Sequence, residues 1–174
     1  MRRSMRLSAL ITAVFALAVS GCATTGGAAG SNEFHAAGEI HCRFSGASFN
    51  AHEVRGPKIS VSQRPDGTWG GLIETSPLDA TFYPDGSFKG GMALRMKVVK
   101  ADNVLTITGQ WRGRIFRFEV SPTQLMVRTD TRSMDFPLTN PGTYGGFGEV
   151  QFTGDAAKAP ATPEFALALV AAFI

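Results

Sequence analysis

Residues 94–128 carry the strongest constraint in this sequence, because one hairpin register gathers their apolar side chains on a single face. A tight turn at Asp102-Asn103 sets Leu94 against Trp111, Met96 against Gly109, Val98 against Ile107 and Lys100 against Leu105. The same turn sets Arg95, Lys97 and Val99 against Gln110, Thr108 and Thr106. Successive strand residues point to opposite faces, so one face is apolar and the other largely polar. A second turn at Arg112-Gly113 lays Leu105, Ile107 and Gly109 beside Val120, Phe118 and Phe116, carrying the apolar face onto a third strand. Slipping a strand by one residue would turn its apolar set to solvent. A further turn at residues 121–124 adds Leu125 and Val127 to this face, although it also places Arg117 opposite Arg128, an unfavourable like-charge pair.

The same logic extends through the folded part of the chain. Pro65-Asp66-Gly67-Thr68-Trp69-Gly70-Gly71 is echoed nineteen residues on by Pro84-Asp85-Gly86-Ser87-Phe88-Lys89-Gly90-Gly91. Each reads as a hairpin tip: Pro presets φ, Asp caps the turn, Gly takes the left-handed position, and the hydroxyl and aromatic residues restart the strand. The paired glycines suggest a bulge or sharp bend. Residues 133–138 and 147–153 supply later strands around a Gly-rich loop at 140–146. The expectation is an all-β antiparallel meander of eight to ten strands, most economically closed as a small barrel because closure hides the strand edges. It is similar in plan to lipocalin-like or avidin-like barrels but carries no diagnostic motif of either, Thr68-Trp69-Gly70 standing at the wrong place for the lipocalin Gly-x-Trp.

The tail reads differently. Thr162-Pro163-Glu164 is a helix start, with an N-cap hydroxyl, Pro at the first helical position and an acid in the first turn. Residues 165–174 are apolar all round and too few to span a bilayer. A helix packed against the barrel wall or plugging one end is expected, the alternatives being an interfacial segment or a strand over 165–169.

The leader has its own signature. Arg2, Arg3 and Arg6 precede an apolar run at 7–19 interrupted only by Ser8 and Thr12, the pattern of an export signal. At its end, Val19-Ser20-Gly21-Cys22 resembles the lipobox of bacterial lipoproteins. That resemblance implies cleavage before Cys22 and attachment of fatty-acyl chains such as palmitate to it, anchoring the protein in a membrane of the cell envelope. Ala23, where Asp would favour inner-membrane retention in enteric bacteria, points to the outer membrane. The chain thus divides into a signal peptide (1–21), a lipidated flexible linker (22–36), a barrel domain (37–155), and a linker with an apolar helix (156–174). The 17 Lys and Arg less the three of the leader leave 14, matching 14 Asp and Glu. A neutral mature chain gives no electrostatic case for nucleic acid.

Catalytic signatures are missing from the sequence: it has no nucleophile elbow, zinc-protease helix, phosphate loop or dinucleotide fingerprint. His41-Cys42 with His52 has metal-ligand chemistry, but adjacent strand residues face opposite ways and share a metal poorly. Cys42 reads as a small buried apolar residue. Arg112, Arg114 and Arg117 read as a solvated, salt-bridged rim, and Trp69, Trp111, Phe116 and Phe118 as core. The expectation is a non-enzymatic envelope lipoprotein with no cofactor or metal, binding a small apolar ligand or an envelope protein. The alternative is an interaction or inhibitor module with a filled barrel acting through the 140–146 loop, similar in general plan to the small anchored barrels that inhibit lysozymes. Bulky inward residues from Leu94 to Phe118 favour a filled interior.

Overall fold

The computed structural model describes residues 37–43, 45–91, 93–146 and 149–174, so the leader, Cys22 and the linker lie outside the described residues. Among the described residues, fourteen antiparallel strands close into one barrel, each paired with its sequence neighbours and the first with the last. In chain order they are β1 (Gly38–Cys42), β2 (Ser45–Asn50), β3 (Glu53–Gly56), β4 (Ile59–Gln63), β5 (Trp69–Ile73), β6 (Ser76–Phe82) and β7 (Ser87–Gly90). There follow β8 (Leu94–Ala101), β9 (Val104–Trp111), β10 (Arg114–Val120), β11 (Gln124–Thr129), β12 (Ser133–Asn140), β13 (Thr143–Tyr144) and β14 (Val150–Gly154). The expected eight to ten strands resolve into fourteen because the outer quarter of the meander uses strands of only four to six residues, too short to show clear alternation.

The register expected over β8–β11 is the one observed. Leu94 pairs with Trp111, Met96 with Gly109 and Val98 with Ile107, and β10 and β11 follow in step. Both turns that fix it use left-handed backbone, at Asp102 and Asn103 and again at Arg112 and Gly113, which matches the twist of a two-residue hairpin. Arg117 does stand opposite Arg128. Each is neutralised along its own side of the pair, Arg117 by Glu119 and Arg128 by Asp135 at 2.8 Å, so the like-charge contact is answered by local carboxylates.

The echoed tips are near-identical in geometry. Asp66 Oδ1 accepts bonds from the Thr68 amide (2.9 Å) and hydroxyl (2.6 Å), and Asp85 does the same with Ser87 at the same distances. The doubled glycine has a different reason from the one expected. The ladder runs through Gly70 and Gly71 without a register break, and a Cβ on Gly71 would stand 2.2 Å from the Ser60 carbonyl oxygen. Close approach of neighbouring backbone, not a bulge, requires glycine there.

Helix α1 (Pro163–Phe173) lies inside the barrel, against β1, β2 and β3. Every residue from Glu164 to Ala172 is buried. Phe165 meets Phe49 and Phe152 edge-on, with ring centroids 5.8 and 5.5 Å away, while Phe173 reaches across to Phe118 at 5.8 Å and Phe136 at 6.2 Å. A helix enclosed by a wall must be slender, which is why Ala166, Ala168, Ala171 and Ala172 suit it. The tail is therefore part of the barrel's own core. Thr162 takes the expected N-cap position with extended backbone, but its hydroxyl makes no capping bond.

Candidate functional site

In a closed meander, alternate turns share an end of the barrel, and here that rule sorts the charges. Turns at one end carry Arg43, Lys58, Arg112, Arg114 and Arg132, with Glu74, Asp130 and Glu149 among them. Turns at the other end carry Asp66, Asp85 and Asp102 with Arg64 among them, and Asp155 begins a 3-10 turn (Asp155–Lys158) beside them that ends on Lys158. This far end is crossed by the chain after β14 and internally bonded, with a hollow of about 310 Å³ beside Lys100, Ser121, Pro141 and Lys158. Lys100 Nζ donates to the carbonyl oxygens of Lys158 (3.1 Å) and Ala159 (2.9 Å), pinning the 3-10 turn over the barrel. Hydrogen bonds from the Thr68 and Ser87 hydroxyls and amides hold the Asp66 and Asp85 carboxyls below their ordinary range.

The first end is open. Its mouth holds a cavity of about 390 Å³, and an adjoining hollow of about 360 Å³ shares Arg114 and Ile174 with it. The floor is apolar, made by Cys42, Met134, Phe136, Ala172, Phe173 and Ile174. These come from β1, β12 and the last turn of α1, whose exposed carbonyl end faces the mouth. Ser45 Oγ donates to one of those carbonyls, Ala171 O, at 3.4 Å. Around the floor stand Arg43, Lys58, Arg114, Asp130, Arg132 and Glu149. The Asp130 amide donates to Ile115 O at 3.2 Å, tying the turn that carries Arg132 to the strand that begins at Arg114. Ile115, 66% exposed, sits at the lip.

On the wall, Arg55, Arg117 and Arg128 each have a carboxylate partner, whereas Arg95 and Lys97 of β8 have no ion pair among the described residues; Arg64, in a far-end turn, pairs with Asp79, and Arg112 keeps a longer contact of 3.7 Å with Glu74. Among the described residues, no carboxylate lies within ion-pair reach of Lys58, Arg114 or Arg132. Burial pushes the Cys42 thiol up to about 12, so it lines the floor as a neutral SH and is a poor nucleophile.

No protein-family model, curated protein or solved structure matches the chain. The mouth has to be read from its own chemistry.

The residues singled out in the sequence are dispersed by the fold. His41 points outward to Glu39 at 2.8 Å, Cys42 faces the mouth, and His52 bonds Gln63 at 2.9 Å at the far end. No group of three His, Cys, Asp or Glu side chains among the described residues is arranged to hold a metal. Arg112, Arg114 and Arg117 do not form one cluster: Arg117 is paired on the outer wall and Arg114 lines the mouth. Trp69, Trp111, Phe116 and Phe118 are core. The segment 140–146 is not a free loop, since Thr143 and Tyr144 form β13, Tyr144 packs on Phe152 at 5.0 Å and the Gly145 amide bonds Pro137 O. Lys58, Arg132, Met134 and Ile174 were not anticipated. The available signal was the parity of the turns, which places cations from distant hairpins at one end.

Proposed function

We propose that this chain is a lipid-anchored lipoprotein of the bacterial envelope, seated at the outer membrane, and that it acts as a non-enzymatic binding module through the open end of its barrel. The observation that carries the binding reading is the mouth: an apolar floor on which Lys58, Arg114 and Arg132 converge from three separate hairpins. A concave apolar surface with a few convergent polar groups is what a small-ligand site offers. The anchor rests on Val19-Ser20-Gly21-Cys22. Strand β1 enters the barrel at Gly38, at the end away from the mouth. With α1 filling the interior, the ligand belongs at the mouth instead of deep in the barrel. The occupied interior also favours a second reading, a filled barrel whose rim engages another envelope protein.

Two measurements test this. Metabolic labelling with a fatty-acid probe should mark the wild-type chain and leave Cys22→Ala unlabelled and out of the membrane fraction; label retained by the variant overturns the anchor. Native mass spectra of the full Cys22→Ala chain, taken before and after organic extraction, should show a removable mass that a Met134→Trp chain of unchanged melting temperature lacks. A bare mass in both chains overturns the small-ligand reading and leaves the protein-partner one.

A further inference from the structure

We propose that the mouth takes a single-chain carboxylate amphiphile, a free long-chain fatty acid, with its tail on the Phe136–Phe173–Ile174 floor and its carboxylate held by Arg114, Arg132 and Lys58. This deepens the binding reading and rests on it.

Size selects one chain. A cavity of about 390 Å³ lies at the lower end of the roughly 300–1,000 Å³ of small-ligand sites. The side chains of the floor, Cys42, Met134, Phe136, Ala172, Phe173 and Ile174, are hydrocarbon, aromatic and sulfur, which is the chemistry that meets an acyl tail.

Charge selects the head and its orientation. The last turn of α1 presents its carbonyl end to the floor, and that end carries partial negative charge. An anion is repelled from the bottom and held at the lip, tail inward. At the lip two guanidinium groups are tied into one rim by the Asp130 to Ile115 backbone bond, and guanidinium forks match a carboxylate bidentately. Asp130 and Glu149 share that rim, so a second negative charge on the head is opposed, which favours a monoanion over a phosphate monoester.

The test uses the full Cys22→Ala chain. Dodecanoate, kept below its micelle concentration, is titrated by calorimetry, with dodecanol, acetate and a lysophospholipid in parallel. The expected order has dodecanoate binding about tenfold more tightly than dodecanol, with acetate silent. Arg114→Gln with Arg132→Gln should remove that advantage and leave dodecanol binding unchanged. Equal binding of dodecanol and dodecanoate, a lysophospholipid that binds more tightly than dodecanoate, or a double variant that keeps the dodecanoate advantage would each overturn the proposal. If dodecanoate fails while a removable mass still depends on Met134, this inference falls and the binding module stands. If the native mass is bare as well, both fall.

Discussion

The two ends of the barrel are made of the same part, a tight turn between antiparallel strands, yet they dispose of their polar groups in opposite ways. At the far end aspartates bond the turns they sit in, and Lys100 satisfies two carbonyls of the chain that crosses the opening. At the mouth Lys58, Arg114 and Arg132 surround an apolar hollow with no internal carboxylate partner among the described residues. The same hairpin scaffold therefore supplies a lid at one end and an unoccupied set of donors at the other. The far end should matter for stability and the mouth should not.

Substitutions can break that contrast, beginning with the largest effect. Phe165→Ala removes the ring that wedges α1 against Phe49 and Phe152, and should lower unfolding free energy by about 3–5 kcal/mol in a denaturant titration. A loss under about 1 kcal/mol would mean that the helix is not held as a core element. Glu164, 4% exposed at the start of α1, has its carboxyl pushed from 4.5 up to about 6 by burial. With the folded value above the unfolded one, the carboxyl's stabilising contribution is complete below about pH 4.5 and is lost as pH rises through 6. Glu164→Gln should therefore be more stable than wild type at pH 8, on the order of 1–2 kcal/mol, with the difference vanishing near pH 4. Melts at the two pH values check the sign. Lys100→Met strips two donors from the lid and should cost about 1 kcal/mol, with faster amide exchange across residues 155–159. Arg132→Gln at the mouth should stay within about 0.5 kcal/mol of wild type. If it costs more than Lys100→Met, the contrast between the ends is wrong.

The sequence disclosed its hairpins unevenly. From Leu94 to Val127 the register was legible because two left-handed turns bracket strands of seven and eight residues with unbroken alternation. β3 and β7 hold only four residues each, and β12 carries Pro137 among half-buried positions, so their pattern is faint. The helix was legible from Thr162-Pro163-Glu164, while its place inside the barrel was not, because an all-apolar surface says only that something covers it. The mouth was the least legible. Cys42, Lys58, Arg114, Arg132 and Ile174 are separated by whole hairpins, and only closure of β1 onto β14 brings them together.

Placing α1 in the interior also sets an order of assembly. The segment that fills the barrel follows every strand of its wall, and the seam between β1 and β14 joins residues more than a hundred positions apart. Non-local pairing of this kind slows folding. Until residues 163–173 arrive, the wall has nothing to close around, and the nascent meander presents apolar faces that aggregate or recruit chaperones. Truncation ahead of Pro163 should consequently be read out as a failure of maturation, seen as proteolysis and inclusion bodies, well before any ligand is added.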